Sequence, residues 1–355
     1  AETVAANAHL WGKYPRPDGI PELRQAVSSW LTRRFNVPNQ DIDDKVGIIP
    51  VLGTREILYM AATLSVPRSV SGEQPVVLIP NPLYHVYSGG AIMAQAEPVL
   101  VPATHNSNFM PDYRNLDERT LRRTAMAYLC SPSNPQGAIA DINYLKDAIR
   151  LAREYDFILA VDECYSEIYD DETNPPTGLI EAAAAMGREN FRNCVVFNSL
   201  SKRSNLPGLR SGYVCGDEAI IEKFLLYRTY HGSAMPVLSQ WISTAAWNDE
   251  QHVIENRKKY RDKFNAVLDI LENVWPMEKP PASFYLWPET PIGDEEFTRR
   301  MIRETNIKVL PGSFLSRNVE GINPGANHVR MALVATVEEC TDAATRIKNL
   351  WHRLR

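Results

Sequence analysis

Residues 199–210 read Ser199-Leu200-Ser201-Lys202-Arg203-Ser204-Asn205-Leu206-Pro207-Gly208-Leu209-Arg210, directly after the apolar run Cys194–Phe197, which predicts a buried strand. A lysine leaving a buried strand among small hydroxyl residues loses part of its hydration. That lowers its pKa and frees the amine to attack a carbonyl. Arg210, eight residues on, supplies a fixed positive charge. An amine nucleophile beside an anion clamp suits a phosphorylated aldehyde. Taken alone, the S-x-x-K-x7-R pattern equally describes a solvated loop lysine and an arginine opening the next strand, so the decision falls to the rest of the chain.

Moving outward from that stretch, four earlier apolar runs end in the same way. Phe157–Val161 predicts a buried strand that stops at Asp162-Glu163-Cys164-Tyr165. A carboxylate at the end of an apolar strand is costly without a cationic partner, although aspartate there also caps helices. Ala125–Cys130 predicts a strand that runs into Ser131-Pro132-Ser133-Asn134-Pro135-Gln136-Gly137. Asn134 stands between prolines, so its amide is aimed, either at a ligand or at the next helix as a cap. Val76–Ile79 is a short run suited to a strand buried on both faces. It precedes Asn81-Pro82-Leu83-Tyr84, whose proline turn presents the Tyr84 ring either to a flat ligand or to the core. Val46–Leu52 breaks at Gly53, and Thr54-Arg55-Glu56 opens a helix with Ile57, Leu58, Ala61 and Leu64 at helical spacing. A strand, a glycine and a helix start can form an anion site from free amides, the helix dipole and the Thr54 hydroxyl, although any strand-to-helix turn can use a glycine.

Gly53, Tyr84, Asn134, Asp162 and Lys202 therefore all fall just past the C-terminal ends of predicted strands. In open α/β sheets that edge binds ligands. Strands alternating with helices imply an α/β fold with a mainly parallel sheet sandwiched by helices. Residues 1–250 make up this large domain. A charged helix from about Glu250 to Leu271 leads away from it, and residues 251–355 form a smaller α+β domain with strands near Ser283–Trp287, Lys308–Leu310 and Val329–Val334. Arg330, flanked by apolar residues in that last strand, is suited to hold a carboxylate bidentately or to pair within the chain. Near the start, Tyr14 precedes a turn and a helix opened by Pro21, with Leu23, Val27, Trp30 and Leu31 on one face.

Composition sets limits on function. The chain has 355 residues with 38 Lys+Arg against 43 Asp+Glu and no basic stripe, which argues against a nucleic-acid partner. No apolar stretch approaches the roughly 18 residues of a membrane span. A soluble, cytoplasmic protein is expected. Five cysteines, Cys130, Cys164, Cys194, Cys215 and Cys340, stand singly in mostly apolar surroundings, as buried reduced thiols do; no metal-ligand spacing is present.

With these motifs in order, the sequence resembles the class I/II aminotransferases, enzymes of fold type I that use pyridoxal 5'-phosphate. The resemblance runs from Tyr14 to the last helix. It implies that Lys202 is the catalytic Schiff-base lysine, that Asp162 pairs with the cofactor's pyridine nitrogen, and that Tyr165 and Asn134 bond its phenolic oxygen. Tyr84 would stack on the ring. Gly53, Thr54, Arg55, Ser199 and Arg210 would hold the phosphate, joined by Tyr14 from a partner subunit. Arg330 would bind the substrate α-carboxylate. It further implies a homodimer with shared active sites, a crossing segment at Arg228–Ser233, and an N-terminal arm that this sequence does not include.

Ser199–Gly212, Asp162–Tyr169 and Arg228–Ala234 are similar to the sub-family that transaminates N-succinyl-LL-2,6-diaminopimelate with 2-oxoglutarate or glutamate in bacterial lysine biosynthesis. Arg228 and His231 are then the candidates for the distal carboxylate. Another amino-acid aminotransferase, a pyridoxal-phosphate β-lyase and a cofactor-binding regulatory module are the alternatives. The Lys202–Asp162–Arg330 set and the lack of a DNA-binding segment speak against the last.

Overall fold

The structure is a computed structural model that describes residues 2–38, 42, 46–187, 191–232 and 234–355. Its centre is a seven-stranded sheet of β1 (Val46–Val51), β2 (Val76–Asn81), β3 (Glu97–Pro102), β4 (Thr124–Cys130), β5 (Ile158–Asp162), β6 (Cys194–Ser199) and β7 (Gly212–Asp217), in the order β1-β7-β6-β5-β4-β2-β3. Only β7 runs against its neighbours. Because β1 is antiparallel to β7 and β7 is antiparallel to β6, two reversals restore direction. The C-terminal ends of β1, β2, β4, β5 and β6 therefore share one edge, as the motif placement predicts.

Helices cover both faces: α1 (Pro21–Phe35), α2 (Thr54–Ser65), α3 (His85–Met93), α4 (Ile142–Glu154), the single turn α5 (Leu200–Arg203), α6 (Glu218–His231) and α7 (Val237–Asn248). Alternate strand residues feed opposite cores, since successive side chains of a strand point to opposite faces. Val161 and Val196 pack with Leu31 of α1 and Ile149 of α4. Ala160, Val195 and Phe197 pack with Leu58 of α2 and Phe224 of α6. Burial on both faces explains why β2, β4 and β6 are apolar runs without alternation.

The sequence reading does not mark β3 or β7. β3 is half exposed and carries two prolines, while Gly212 and Gly216 interrupt β7. Gly216 is required there: a Cβ would meet the Cys194 carbonyl at 2.0 Å. Beyond the 21-residue helix α8 (Gln251–Leu271), a second sheet joins β8 (Tyr285–Leu286), β9 (Leu310–Pro311) and β10 (Val329–Ala332), all antiparallel. Phe264 and Val267 of α8 and Ile347 of the last helix, α9 (Val337–Leu354), close its core over Leu286 and Val329. All five cysteines are buried and free. Among the described residues no helix is long and apolar enough to cross a membrane.

A buried polar belt fixes the end of β5. Glu167 accepts from Arg34 of α1 at 2.7 Å and lies 3.4 Å from Arg257 of α8, which stacks over Tyr169. Glu163 is 1% exposed and accepts from the Leu179 N–H at 2.7 Å through one oxygen only. Burial pushes its carboxyl up to about 8. The folded chain therefore binds a proton the unfolded chain has released: the stability Glu163 lends is whole below its ordinary value of 4.5 and is lost as pH rises through about 8. Glu163→Gln should gain stability over wild type as pH rises from 5 to 9, the gain widening by up to ~4 kcal/mol, measured by denaturant melts. A gain that does not change with pH would contradict the assignment.

Candidate active site

The shared strand edge opens into a cavity of about 590 Å³ whose lining includes Thr54, Tyr84, Asn134, Asp162, Tyr165, Ser199, Lys202, Arg210 and Arg330. Each reaches it by local geometry. Lys202 sits on α5, and its Nζ stands 4.8 Å from the Phe284 ring centre. Burial holds the Lys202 ammonium below the ordinary lysine value, and the charges of Arg330 and Arg210 push the same way against Cys164 and Asp162. An amine so placed gives up its proton more readily than a solvated lysine does.

Asp162 ends β5 and is 5% exposed. Its Oδ2 accepts from the Tyr87 hydroxyl at 2.8 Å and its Oδ1 from the Cys164 N–H at 3.2 Å. Burial raises its pKa while the Cys164 and Tyr87 contacts oppose the rise. Among the described residues it forms no ion pair, and its carboxyl group lines the cavity. Tyr165 meets the Tyr285 hydroxyl at 3.0 Å, and burial keeps both phenols neutral. Arg330 donates from Nη1 to Asn134 Oδ1 at 2.9 Å and lies 4.5 Å over the Tyr285 ring. The Asn134 amide therefore fixes the guanidinium, a contact the spacing alone does not reveal.

At the other end, Gly53 has φ +77°, and a Cβ there would meet Arg210 Nη2 at 2.3 Å. Glycine alone leaves room for that guanidinium, which is tethered to the Pro207 and Leu52 carbonyls at 2.8 and 3.2 Å. Thr54 Oγ1 lies 3.0 Å from Cys164 Sγ, which lies 3.6 Å from Ser199 Oγ. Arg55 Nε donates to the Tyr84 hydroxyl at 2.7 Å, steadying the ring at the mouth of the cavity.

Not every expected residue comes here. Tyr14 is wholly exposed and stands outside the cavity of its own chain. Arg228, a candidate for the distal carboxylate, is instead buried in its own subunit, where Nη1 donates to the Pro50 carbonyl at 2.6 Å, and it does not line this cavity. Its place on the inner face of α6 against β1 explains this. His231, at the exposed end of α6, stacks on Tyr227 and does not line the cavity. Ser233 lies outside the described residues. Conversely, Tyr87, Phe284 and Tyr285 belong to the site without having been singled out. Tyr87 was accessible to reasoning, since it follows Tyr84 by three residues in the first turn of a helix and so shares its face.

The donor set fits one kind of group. Arg210, Thr54, Ser199 and the free amides at the start of α2 suit a phosphate. Asp162 suits a cationic ring nitrogen, Tyr84 a flat ring, and Lys202 an aldehyde. Together they define a pyridoxal-phosphate enzyme of fold type I. Residues 1–347 match the family described as aminotransferase class I and II, and the chain belongs to that family. It is 31% identical over 342 residues to the LL-diaminopimelate aminotransferase of Aquifex aeolicus, covering 95% of this chain and 83% of that protein. The protein of that name from Desulforudis audaxviator is 28% identical over 347 residues, covering 96% and 83%. An aminotransferase from Neisseria meningitidis of known structure superposes with a TM-score of 0.91 at 44% identity, covering 99% of this chain and 87% of that one.

Proposed function

We propose that the enzyme moves an amino group between N-succinyl-LL-2,6-diaminopimelate and 2-oxoglutarate, in the diaminopimelate route to lysine. The relatives named for LL-diaminopimelate support the diaminopimelate skeleton. The acylated form is supported by the likeness of Ser199–Gly212, Asp162–Tyr169 and Arg228–Ala234 to the succinyldiaminopimelate sub-family, and the cavity does not oppose a second carboxylate: among its described lining residues Asp162 is the one acidic side chain.

Within this reading the protein groups divide the work. Arg330, held by Asn134, grips the α-carboxylate of each substrate in turn. Lys202 holds and moves the proton at the substrate α-carbon. Pyridoxal phosphate, when bound, supplies the ring that draws electrons from that carbon, and Asp162 keeps its nitrogen protonated. Tyr165 would donate to the cofactor's phenolic oxygen, and Tyr84 would cover its ring.

In steady-state assays with 2-oxoglutarate, kcat/KM for the succinylated donor should exceed that for free LL-diaminopimelate and for phenylalanine by about tenfold or more, the equivalent of one hydrogen bond to a charged group. Equal values for phenylalanine and the succinylated diacid would remove the substrate assignment and leave the aminotransferase standing.

The same reading makes the enzyme a homodimer with shared sites, supported by the fully exposed ring of Tyr14, which has no place in its own chain's cavity. Mixing inactive Lys202→Ala subunits with inactive Tyr14→Ala subunits should restore part of the activity. A fully active monomer in light scattering would contradict it.

A further inference from the structure

The turn leaving β2 carries Tyr84 into the cavity, and Asn81 stands at its start with no exposed surface. One residue satisfies both ends of its amide. Nδ2 donates to the Arg317 carbonyl at 2.8 Å, and Oδ1 accepts from the Arg317 N–H at 3.0 Å. Two residues on, the Leu83 N–H donates to the Leu315 carbonyl at 2.8 Å. These three bonds tie the large sheet to the segment Gly312–Arg317, which follows β9 in the second sheet. That segment is stiff. The Gly312 and Gly325 backbones lie so close that a Cβ on either would meet the other's carbonyl oxygen at 2.1–2.2 Å, and Ser316 donates to the Gly312 carbonyl at 2.9 Å.

Both sides of the junction face the cavity, Leu83 and Tyr84 from one and Leu310 and Leu315 from the other. Asn81 itself does not. Its two-point pairing copies a rung of a β-ladder, which requires a donor and an acceptor side by side, and a carboxamide has both. Aspartate would set an oxygen against the Arg317 carbonyl, and alanine would leave two backbone groups without partners.

We propose that Asn81 is a positioning residue for amino transfer. It clasps the segment Gly312–Arg317 onto the Tyr84 turn, so that the ring-covering tyrosine and the Leu310–Leu315 wall keep one spacing across the cavity. The inference rests on this cavity being the reacting site; backbone exchange reads the clasp without that assumption.

The test compares wild type, Asn81→Asp and Asn81→Ala as cofactor-loaded enzymes. Hydrogen exchange over 312–317 should accelerate at least tenfold in both variants while α1 keeps its protection. KM for glutamate should rise about tenfold with kcat within about threefold. Unchanged exchange and KM in a folded variant would overturn the clasp. So would exchange that accelerates evenly through the chain, with kcat falling in step with the melting temperature. If neither variant folds, wild type decides: an Arg317 amide that exchanges as fast as that of exposed Asn318 overturns the proposal, and one that exchanges at least tenfold more slowly supports it. Wild type inactive with glutamate but protected over 312–317 would count against amino transfer and leave the clasp in place.

Discussion

Lys202→Ala is expected to lower kcat by at least about 10²–10⁴-fold, the range that positioned proton transfer contributes by itself, and to leave cofactor bound without a covalent link. The loss follows from chemistry: alanine offers neither an amine for the aldehyde nor a base for the α-proton. Retention follows from the rest of the cavity, because Thr54, Asn134, Asp162 and Arg210 all remain. The variant should carry cofactor through gel filtration and release it on denaturation without reduction. Burial and the neighbouring Arg330 and Arg210 lower the Lys202 pKa, so the cofactor-free wild type should condense with added pyridoxal phosphate at a lower pH than free lysine does. Wild-type turnover in the variant would remove Lys202 from its role.

Asp162→Asn should lower kcat about 10²–10³-fold, the cost of deleting one preorganised electrostatic partner, without weakening the fold. Asparagine keeps the shape: its single oxygen can accept from the Cys164 N–H, and its amide N–H can donate to the Tyr87 hydroxyl oxygen in place of the bond that Asp162 accepts. What it loses is charge. In the cofactor-free chain that charge is a burden, because burial raises the Asp162 pKa. The stability this carboxyl lends is whole below the unfolded-state value near 3.8 and is lost as pH rises through the folded-state value. At pH 7 the cofactor-free variant should therefore melt at or above the wild-type temperature while its loaded form is crippled. A kcat within threefold of wild type, or a melting temperature that falls with kcat, would show that Asp162 only holds the strand end.

Much of this was legible in the sequence because the physics that writes it is local. A strand buried on both faces must be an apolar run, and the polar residue that ends it is conspicuous; that is how Gly53, Asn134, Asp162 and Lys202 were placed on one edge. β3 and β7 escaped because an edge strand need not be apolar and a strand packed against a neighbour's carbonyl must admit glycine. Pairings between distant segments were not legible. Nothing in the spacing says that Asn134 holds Arg330, that Tyr87 bonds Asp162, or that Asn81 reaches residue 317. Arg228 shows the same limit: nothing in the segment Arg228–His231 says that α6 turns the guanidinium inward against the Pro50 carbonyl.

The central claim, that the cavity transfers an amino group with Lys202 at its centre, is tested most directly by a single-turnover experiment without a second substrate. Enzyme loaded with pyridoxal phosphate is mixed with glutamate alone, and 2-oxoglutarate, free ammonia and the cofactor's visible absorbance are followed together. The account predicts one equivalent of 2-oxoglutarate per Lys202, no ammonia, and an absorbance change that added 2-oxoglutarate reverses. Continuous release of ammonia, or an unchanged spectrum with no 2-oxoglutarate formed, would contradict it.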